Sequence, residues 1–545
     1  MINFKAISIK INYLAKNIKN NQFKTVQVMI TGKSYIGGAW KIGKGKEFSA
    51  QNPVTGENVN VFKEVDQQQI EEAVSGANSA FEILKTKDME SRAQLLDSIA
   101  EELEALGPQL IEICDKETGL GEARITGERG RTCGQLRAFA TLIRKGDWQQ
   151  ARIDTAIPDR EPLPKADIRR ILRPLGTIAV FSASNFPLAF STLGGDTASA
   201  IAAGNSVVVK AHPSHPGTSE LCTQALEKAI AKNNFPPEMF AMLQGASPEV
   251  SQVLVQHPQI HAVGFTGSTA VGRILYNLGA SRPNPIPVFA EMGSTNPLVV
   301  LPNAIAQRGN DIAQGLAGSI TLGTGQFCTK PGLILLLKDE HSPNFVKDLT
   351  KAIDSINIGH FLNKRIKTSF KDSIEKTKAV EGITMKDGKD ESGKIFEIDA
   401  GQFLQSPRLE EEIFGPAAII ISCEDIDQLI EVIAGFGGHL TGTIHSDEDI
   451  ELAKVISAME RKVGRIILNG FPTGVEVCPS MHHGGPYPSS TFEATTSVGT
   501  AAIERFCTVK CYQNIPQEHL PLALRNKNPN NILRMVNGTF TTDDI

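Results

Sequence analysis

Residues 177–211 read TIAVFSASNFPLAFSTLGGDTASAIAAGNSVVVKA. A β-rich run, TIAVFSA, gives way to the helix-forming DTASAIAAG, and a second β-rich run, NSVVVKA, follows. The alternation continues through TSELCTQALEKAIAK (218–232) to AVGFTG (262–267). Strands and helices recurring about every 30 residues read as βαβ units on a parallel sheet, the layout of dinucleotide-binding folds. The fold class is therefore α/β.

Upstream, residues 66–145 repeat apolar side chains every three or four positions, as in QQIEEAVSGANSAFEIL, which predicts amphipathic helices. RIDTAIPDREPLPKADIRRILRPLG (152–176) is dense in proline and charge and suits an exposed hairpin or arm better than a core strand. Downstream, PLVVLP (297–302), LILLL (333–337) and GRIILNG (464–470) predict a second α/β region. Residues 1–28 hold Lys, Asn and Ile but no acidic residue or arginine, and read as a flexible extension.

Composition narrows the function. In 545 residues, 55 Lys and Arg face 60 Asp and Glu, a net charge of −5. No field of one sign draws the chain to nucleic acid or an acidic membrane, so small molecules and other copies of itself are the expected partners. No apolar run approaches the ~18 residues of a membrane span. Eight cysteines without CxxC spacing argue against disulfides or a zinc site, so a reducing, cytoplasmic setting and no metal are expected.

One of these cysteines stands apart. Cys328 lies in GTGQFCTKPG (323–332), flanked by glycines that leave room for a substrate. A thiol near a helix N-terminus has a lowered pKa and becomes a nucleophile; the alternative is a free cysteine without chemistry. In FAEMGSTNP (289–297), Glu291 sits among apolar residues, where desolvation would raise its pKa toward neutrality and let it activate water, or it makes only local hydrogen bonds. In SASNFPLAF (182–190), Asn185 follows a strand and could aim its amide at an oxyanion, although a plain turn reads the same. GFTGSTAVGR (264–273) offers free N–H groups at a helix start to a pyrophosphate, yet it fits neither the Walker pattern nor GxGxxG.

In their order along the chain, ASNFP, VVVKA, FTGS, AEMG, GQFC and EEIFGP resemble the aldehyde dehydrogenase superfamily over residues 29–516. SASNFPLAFSTLGGDTASAIAAG, SITLGTGQFCTKPG and HHGGPYPSSTFEATTSVGTAAIERF look like its α-ketoglutaric semialdehyde (2,5-dioxovalerate) branch, which is itself similar to NADP-dependent fatty aldehyde enzymes. The resemblance implies roles. Cys328 would attack the aldehyde, Asn185 would hold the oxyanion, and Glu291 would activate the water that hydrolyses a thioester. His483 would tune the thiol or share the base role, or be a loop histidine without function. Ser182, Lys210, Gly267, Ser268, Glu412 and Phe414 would bind the dinucleotide. Pro213 stands where NAD-preferring relatives carry an acid, so with Lys210, His212 and Ser214 near the ribose the cofactor is expected to be NADP, with NAD as the alternative. Arg131, Gln135 and Phe186 would line the substrate tunnel, unless Arg131 forms a surface ion pair with Glu128. A fatty aldehyde, acyl transfer to coenzyme A, and a catalytically silent homologue are the rival readings.

The same resemblance implies a Rossmann-type dinucleotide-binding domain (29–145 and 175–293), a catalytic α/β domain (294–502), a small β oligomerisation arm (146–174 and 503–514) and a tail (515–545). It implies a homodimer or homotetramer built through that arm.

Overall fold

Four helices form where the periodicity places them, at Gln67–Leu84, Met89–Ala105, Gly107–Thr118 and Glu122–Lys145. The first begins with a capping box, in which Asp66 accepts from the Gln69 N–H while the Gln69 side chain accepts from the Asp66 N–H. The fourth stops at Gly146, whose φ of 77° ends a helix as few other residues can. The computed structural model describes residues 30–386 and 392–545. The extension expected over residues 1–28 lies outside them.

The 177–211 stretch forms what its alternation predicts: strand Thr177–Phe181, helix Gly195–Ala203 and strand Ser206–Lys210, nearly all of it buried. Strands buried on both faces are apolar throughout, as parallel sheets covered by helices require. Across the first sheet the order is Val288–Glu291, Ile260–Thr266, Thr177–Phe181, Ser206–Lys210, Phe240–Leu243, Ser34–Ile36, Ala39–Lys41. The first five are mutually parallel and the last two are added antiparallel. From Thr177–Phe181 the chain winds one way through two strands, then crosses back to lay Ile260–Thr266 on the other side. In such doubly wound sheets the crevice for a ligand opens at the carboxyl ends of the strands flanking that reversal. Here those ends lead into Ser182 and Gly267.

The second sheet orders Thr384–Met385, Lys394–Asp399, Ala417–Cys423, Leu333–Leu337, Leu298–Val300, His439–His445 and Val463–Leu468, parallel except for its first pair. LILLL is one of its central strands, paired on both sides and packed between two apolar clusters. No helix among the described residues is long and apolar enough to cross a membrane.

In the third sheet, Ile168–Pro174 pairs antiparallel with Cys507–Gln513 and with Arg152–Asp154 of the same chain. The segment after residue 515 does more than trail from it. Arg534–Val536 adds a parallel strand beside Arg152–Asp154, and Leu520, Leu524 and Ile532 bury against Ile153 and Ile171. Buried Arg534 also donates to the carbonyls of Asn526 and Asp543. The apolar positions of 515–545 follow neither a period of 2 nor one of 3.6, so no sequence pattern announces this packing.

Candidate active site

Residues Gly323, Thr324 and Gly325 all take positive φ, at 57°, 59° and 65°. This left-handed run turns the chain sharply after helix Pro302–Thr321 and carries Cys328 into a tight loop. Only glycine fits at 325, because a Cβ there would come within 2.2 Å of the Gly415 carbonyl carbon. The loop is held from below by buried Asn296, whose Nδ2 donates to the carbonyls of Cys328 (2.8 Å) and Lys330 (3.0 Å). AEMGSTNP and GTGQFCTKPG, far apart in the chain, are thereby stitched together. Lys330 ties in the third motif, donating to the carbonyls of Ile413 and Ala417 on either side of FGP.

Cys328 does not sit at a helix N-terminus. Burial pushes its thiol well above the usual range, the Glu291 and Glu412 carboxylates add to this, and Arg131 opposes them only in part. The expectation of a lowered thiol pKa is therefore corrected: burial dominates, and the carboxylates add to it more than Arg131 takes away. Alkylation of Cys328 by iodoacetamide should climb about tenfold per pH unit from roughly pH 7 to 9 without levelling off, since thiolate is the reacting form. A plateau below pH 8 in a mass-resolved rate profile would contradict the assignment.

One group able to take the thiol proton, His483, is in contact with it. Its Nε2 lies 3.5 Å from the Cys328 sulfur and 3.1 Å from Glu291 Oε1. Both His483 and Glu291 are almost completely buried, whereas Cys328 is partly buried. Glu291 ends the strand Val288–Glu291, and its other oxygen accepts a hydrogen bond from the Ser497 hydroxyl. Burial alone would raise the Glu291 pKa, but His483, Ser497 and Arg505 outweigh it and hold the carboxyl below its ordinary value. The predicted upward shift is thus reversed: desolvation was legible in the sequence, and the compensating donors were not.

Asn185 reaches the same place from the first sheet. Its Nδ2 donates to the Gln326 carbonyl at 3.1 Å, and an amide nitrogen carries a second hydrogen to offer. Next to it, Phe186, Phe190 and Phe327 form an aromatic cluster. The Arg124 guanidinium lies 4.6 Å from the Phe186 ring centroid and the Arg131 guanidinium 5.8 Å from it.

Arg131 has no hydrogen-bond or ion-pair partner among the described residues. The alternative of a surface pair with Glu128 does not hold. Glu128 is buried, accepts the Leu188 and Ala189 N–H groups, and pairs with Arg124 at 3.6 Å. Gln135 is buried on the same helix, its Nε2 packed toward Gly195. Arg124 was missed although it stands seven residues before Arg131, a spacing that puts both on one helical face. Lys330 and Asn296 lie within motifs already singled out. Nothing in the sequence marks Ser497.

At the switch-point crevice, the Ser182 hydroxyl is buried and makes no hydrogen bond among the described residues, and Lys210 is a buried cation without an ion pair there. Burial lowers Lys210 to about 8. Ser268 caps helix Thr269–Ala280, and a Cβ on Gly267 would collide with the Phe265 ring at 2.6 Å. Ser214 accepts from Asn363 Nδ2 at 3.1 Å. His212 is held well below its usual pKa by burial, then by His215, Lys210 and Arg365, so it is a neutral imidazole and brings no charge to an anion. Glu412 lies against Gly293, with Phe414 half-buried two residues on. Burial raises Glu412 and depresses Lys330, each partly relieved by the other. The orphaned hydroxyl, the unpaired cation and the helix start fit the ribose and phosphates of a dinucleotide.

The sequence pattern of the aldehyde dehydrogenase family matches residues 40–512. The chain belongs to this family. Aldehyde dehydrogenases oxidise aldehydes, and the relatives agree over nearly the whole length. α-Ketoglutaric semialdehyde dehydrogenase 2 of Azospirillum brasilense is 43% identical over 523 residues, covering 94% of this chain and 99% of its own. The α-ketoglutaric semialdehyde dehydrogenase of Acinetobacter baylyi is 43% identical over 524 residues, covering 91% and 99%. Among solved aldehyde dehydrogenases, a point mutant of Staphylococcus aureus betaine aldehyde dehydrogenase in complex with NAD+ superposes with a TM-score of 0.76 at 20% identity, covering 89% of this chain and 98% of that one. A NAD-dependent benzaldehyde dehydrogenase from Corynebacterium glutamicum gives 0.71 at 22% identity, covering 88% and 98%. These distant structures establish the aldehyde dehydrogenase fold and nothing finer.

Proposed function

We propose that this aldehyde dehydrogenase oxidises α-ketoglutaric semialdehyde to 2-oxoglutarate, using NADP in preference to NAD. The observation that carries the chemistry is the contact chain from the Cys328 sulfur through His483 Nε2 to Glu291 Oε1. As the thiol adds to the aldehyde carbon, its proton passes to His483, and the neighbouring Glu291 carboxylate stabilises the imidazolium. The alkoxide so formed is held by the Asn185 amide and the Cys328 N–H. Ser182, Lys210, Gly267, Ser268, Glu412 and Phe414 would hold a nicotinamide dinucleotide, which would supply the hydride acceptor for the oxidation to the thioester level. Glu291 then takes a proton from water as its oxygen attacks the thioester carbon, and the departing thiolate recovers its proton from His483. A thiol whose own pKa is raised needs such a base beside it.

The substrate reading rests on the two 43%-identical relatives and on Arg131, an unpartnered guanidinium above Phe186 and Phe190 that could form a bidentate pair with a distal carboxylate. The aromatic cluster alone favours a second reading, a medium- or long-chain fatty aldehyde. Comparing kcat/KM for the semialdehyde and for a long-chain aldehyde, each with NAD and NADP, decides between them. Arg131→Ala should raise KM for the semialdehyde about 10- to 100-fold and leave the long-chain aldehyde unaffected. An unchanged preference would remove Arg131 from substrate recognition.

The NADP preference rests on Pro213 standing where an acid would repel a 2′-phosphate, with Lys210 as the cation and Ser214 as a hydroxyl donor. With His212 neutral, the preference should be modest. A cytoplasmic setting is supported by all eight cysteines being free. A homodimer or homotetramer is supported by the third sheet, where Cys507–Gln513 is an edge strand carrying Val509 at 53% exposure, near an arm on which Leu163 is 69% exposed. Sedimentation of the full chain should give two or four subunits, and a monomer at micromolar concentration would remove this part.

A further inference from the structure

Cys328, His483 and Glu291 also form a donor set. Their sulfur, imidazole nitrogen and carboxylate oxygen all lie within 4.8 Å of one another. Zinc takes these three ligand types, with Zn–S near about 2.3 Å and Zn–N and Zn–O near about 2.0–2.2 Å. At tetrahedral angles those lengths put sulfur and nitrogen about 3.5 Å apart and nitrogen and oxygen about 3.3 Å apart. The observed separations are 3.5 Å and 3.1 Å. The protein therefore holds two of the three donor pairs close to the spacing a tetrahedral thiophilic cation requires.

We infer that this triad is a binding site for a thiophilic divalent cation such as Zn²⁺, which inhibits the enzyme reversibly by occupying its nucleophile and its base together. On binding, the Cys328 S–H bond breaks, its proton goes to solvent, and the sulfur lone pair forms the metal bond. His483 contributes the Nε2 lone pair and Glu291 the Oε1 lone pair, so two negative ligands balance the charge of the ion. Ser497 already donates to the other Glu291 oxygen and orients it, as outer-shell groups do in metal sites. His483 Nδ1 lacks a hydrogen-bond partner among the described residues, so nothing fixes the tautomer that a resident metal centre would need. Three ligands without that support make a site that fills and empties with the free metal concentration, and its fourth position stays open. Mg²⁺ and Ca²⁺, which prefer all-oxygen shells, are excluded by the thiolate.

Binding at this site does not depend on the proposed reaction, and the test separates the two. Metal-free full-length enzyme is titrated with Co²⁺ and followed by the thiolate-to-cobalt charge-transfer absorption, a signal that needs no aldehyde turnover. The band should appear with one equivalent, be displaced by Zn²⁺, vanish in Cys328→Ser, and weaken in apparent affinity by about tenfold or more in His483→Gln. The Cys478→Ser/Cys507→Ser/Cys511→Ser triple variant should keep it, which places the ligand at Cys328 rather than at the other accessible thiols. With aldehyde present, Zn²⁺ should inhibit, EDTA should restore the rate, and Mg²⁺ at the same concentration should do neither. No charge-transfer band, or equal Zn²⁺ affinity in His483→Gln and the unchanged enzyme, would overturn the site. A band in an enzyme that oxidises no aldehyde would uphold it and reject the reaction instead.

Discussion

Cys328→Ala should lose about 10⁴-fold or more in kcat for every aldehyde, because the covalent adduct forms on the thiol in contact with His483. Its fold should be little changed. The side chain is small and only partly buried, and what holds the loop is backbone: Asn296 binds the Cys328 carbonyl, which alanine retains. Dinucleotide affinity measured by titration calorimetry should stay within a few-fold, which separates lost chemistry from lost structure. Mass spectrometry of the unchanged enzyme quenched during turnover should show an acyl increment on the peptide holding Cys328, absent in the variant. A variant oxidising aldehydes at the original rate would end the assignment.

Glu291→Gln should divide the reaction in two. The amide keeps the size and can still accept from Ser497, but it cannot take a proton from water or stabilise the imidazolium of His483. Loss of a general base costs typically 10²–10⁴-fold, and here the steady-state kcat should fall by about 10²–10³. Arg505 would not be stranded, because it is also paired with Asp196. Thioester formation should persist, so the first turnover should release a burst of reduced nicotinamide, stoichiometric with sites, followed by a slow phase in which acyl-enzyme accumulates. A variant that shows neither burst nor adduct would make the Glu291 carboxylate indispensable to thiol activation, where the proposed mechanism needs it only as an aid to His483. A variant with unimpaired hydrolysis would assign the water to His483 alone.

Acid sensitivity follows from the direction of the Glu291 shift. A carboxyl held below its unfolded value contributes stability above that value and loses it as the pH falls through the folded one. The Glu291 carboxylate therefore remains ionised across the neutral range.

Much of the fold was legible because buried parallel strands and amphipathic helices impose different periods on a sequence. TIAVF, SVVVK and LILLL are strands because each is buried on both faces, and 66–145 is helical because one face of each helix is. The 515–545 segment was not legible, because its short strands are stabilised by partners some 380 residues earlier and by buried Arg534. In the site, Cys328, Glu291 and Asn185, the proposed nucleophile, base and oxyanion amide, stood out as polar residues within short motifs rich in glycine and proline. Their ionisation did not, since it depends on which charges the fold brings within a few ångströms. Arg124 was overlooked because its role is set by two phenylalanines more than sixty residues away.

From residue order alone came the alternating architecture, the family and the candidate thiol, since backbone period and local motif are properties of neighbours in the chain. Only the tertiary structure decided that His483 stands between sulfur and carboxylate, that the thiol is raised and Glu291 lowered, and that Arg131 is unpaired. Electrostatic and metal-binding properties depend on distances of 3 to 5 Å between groups from separate strands and loops, and no periodicity in a sequence encodes such a distance.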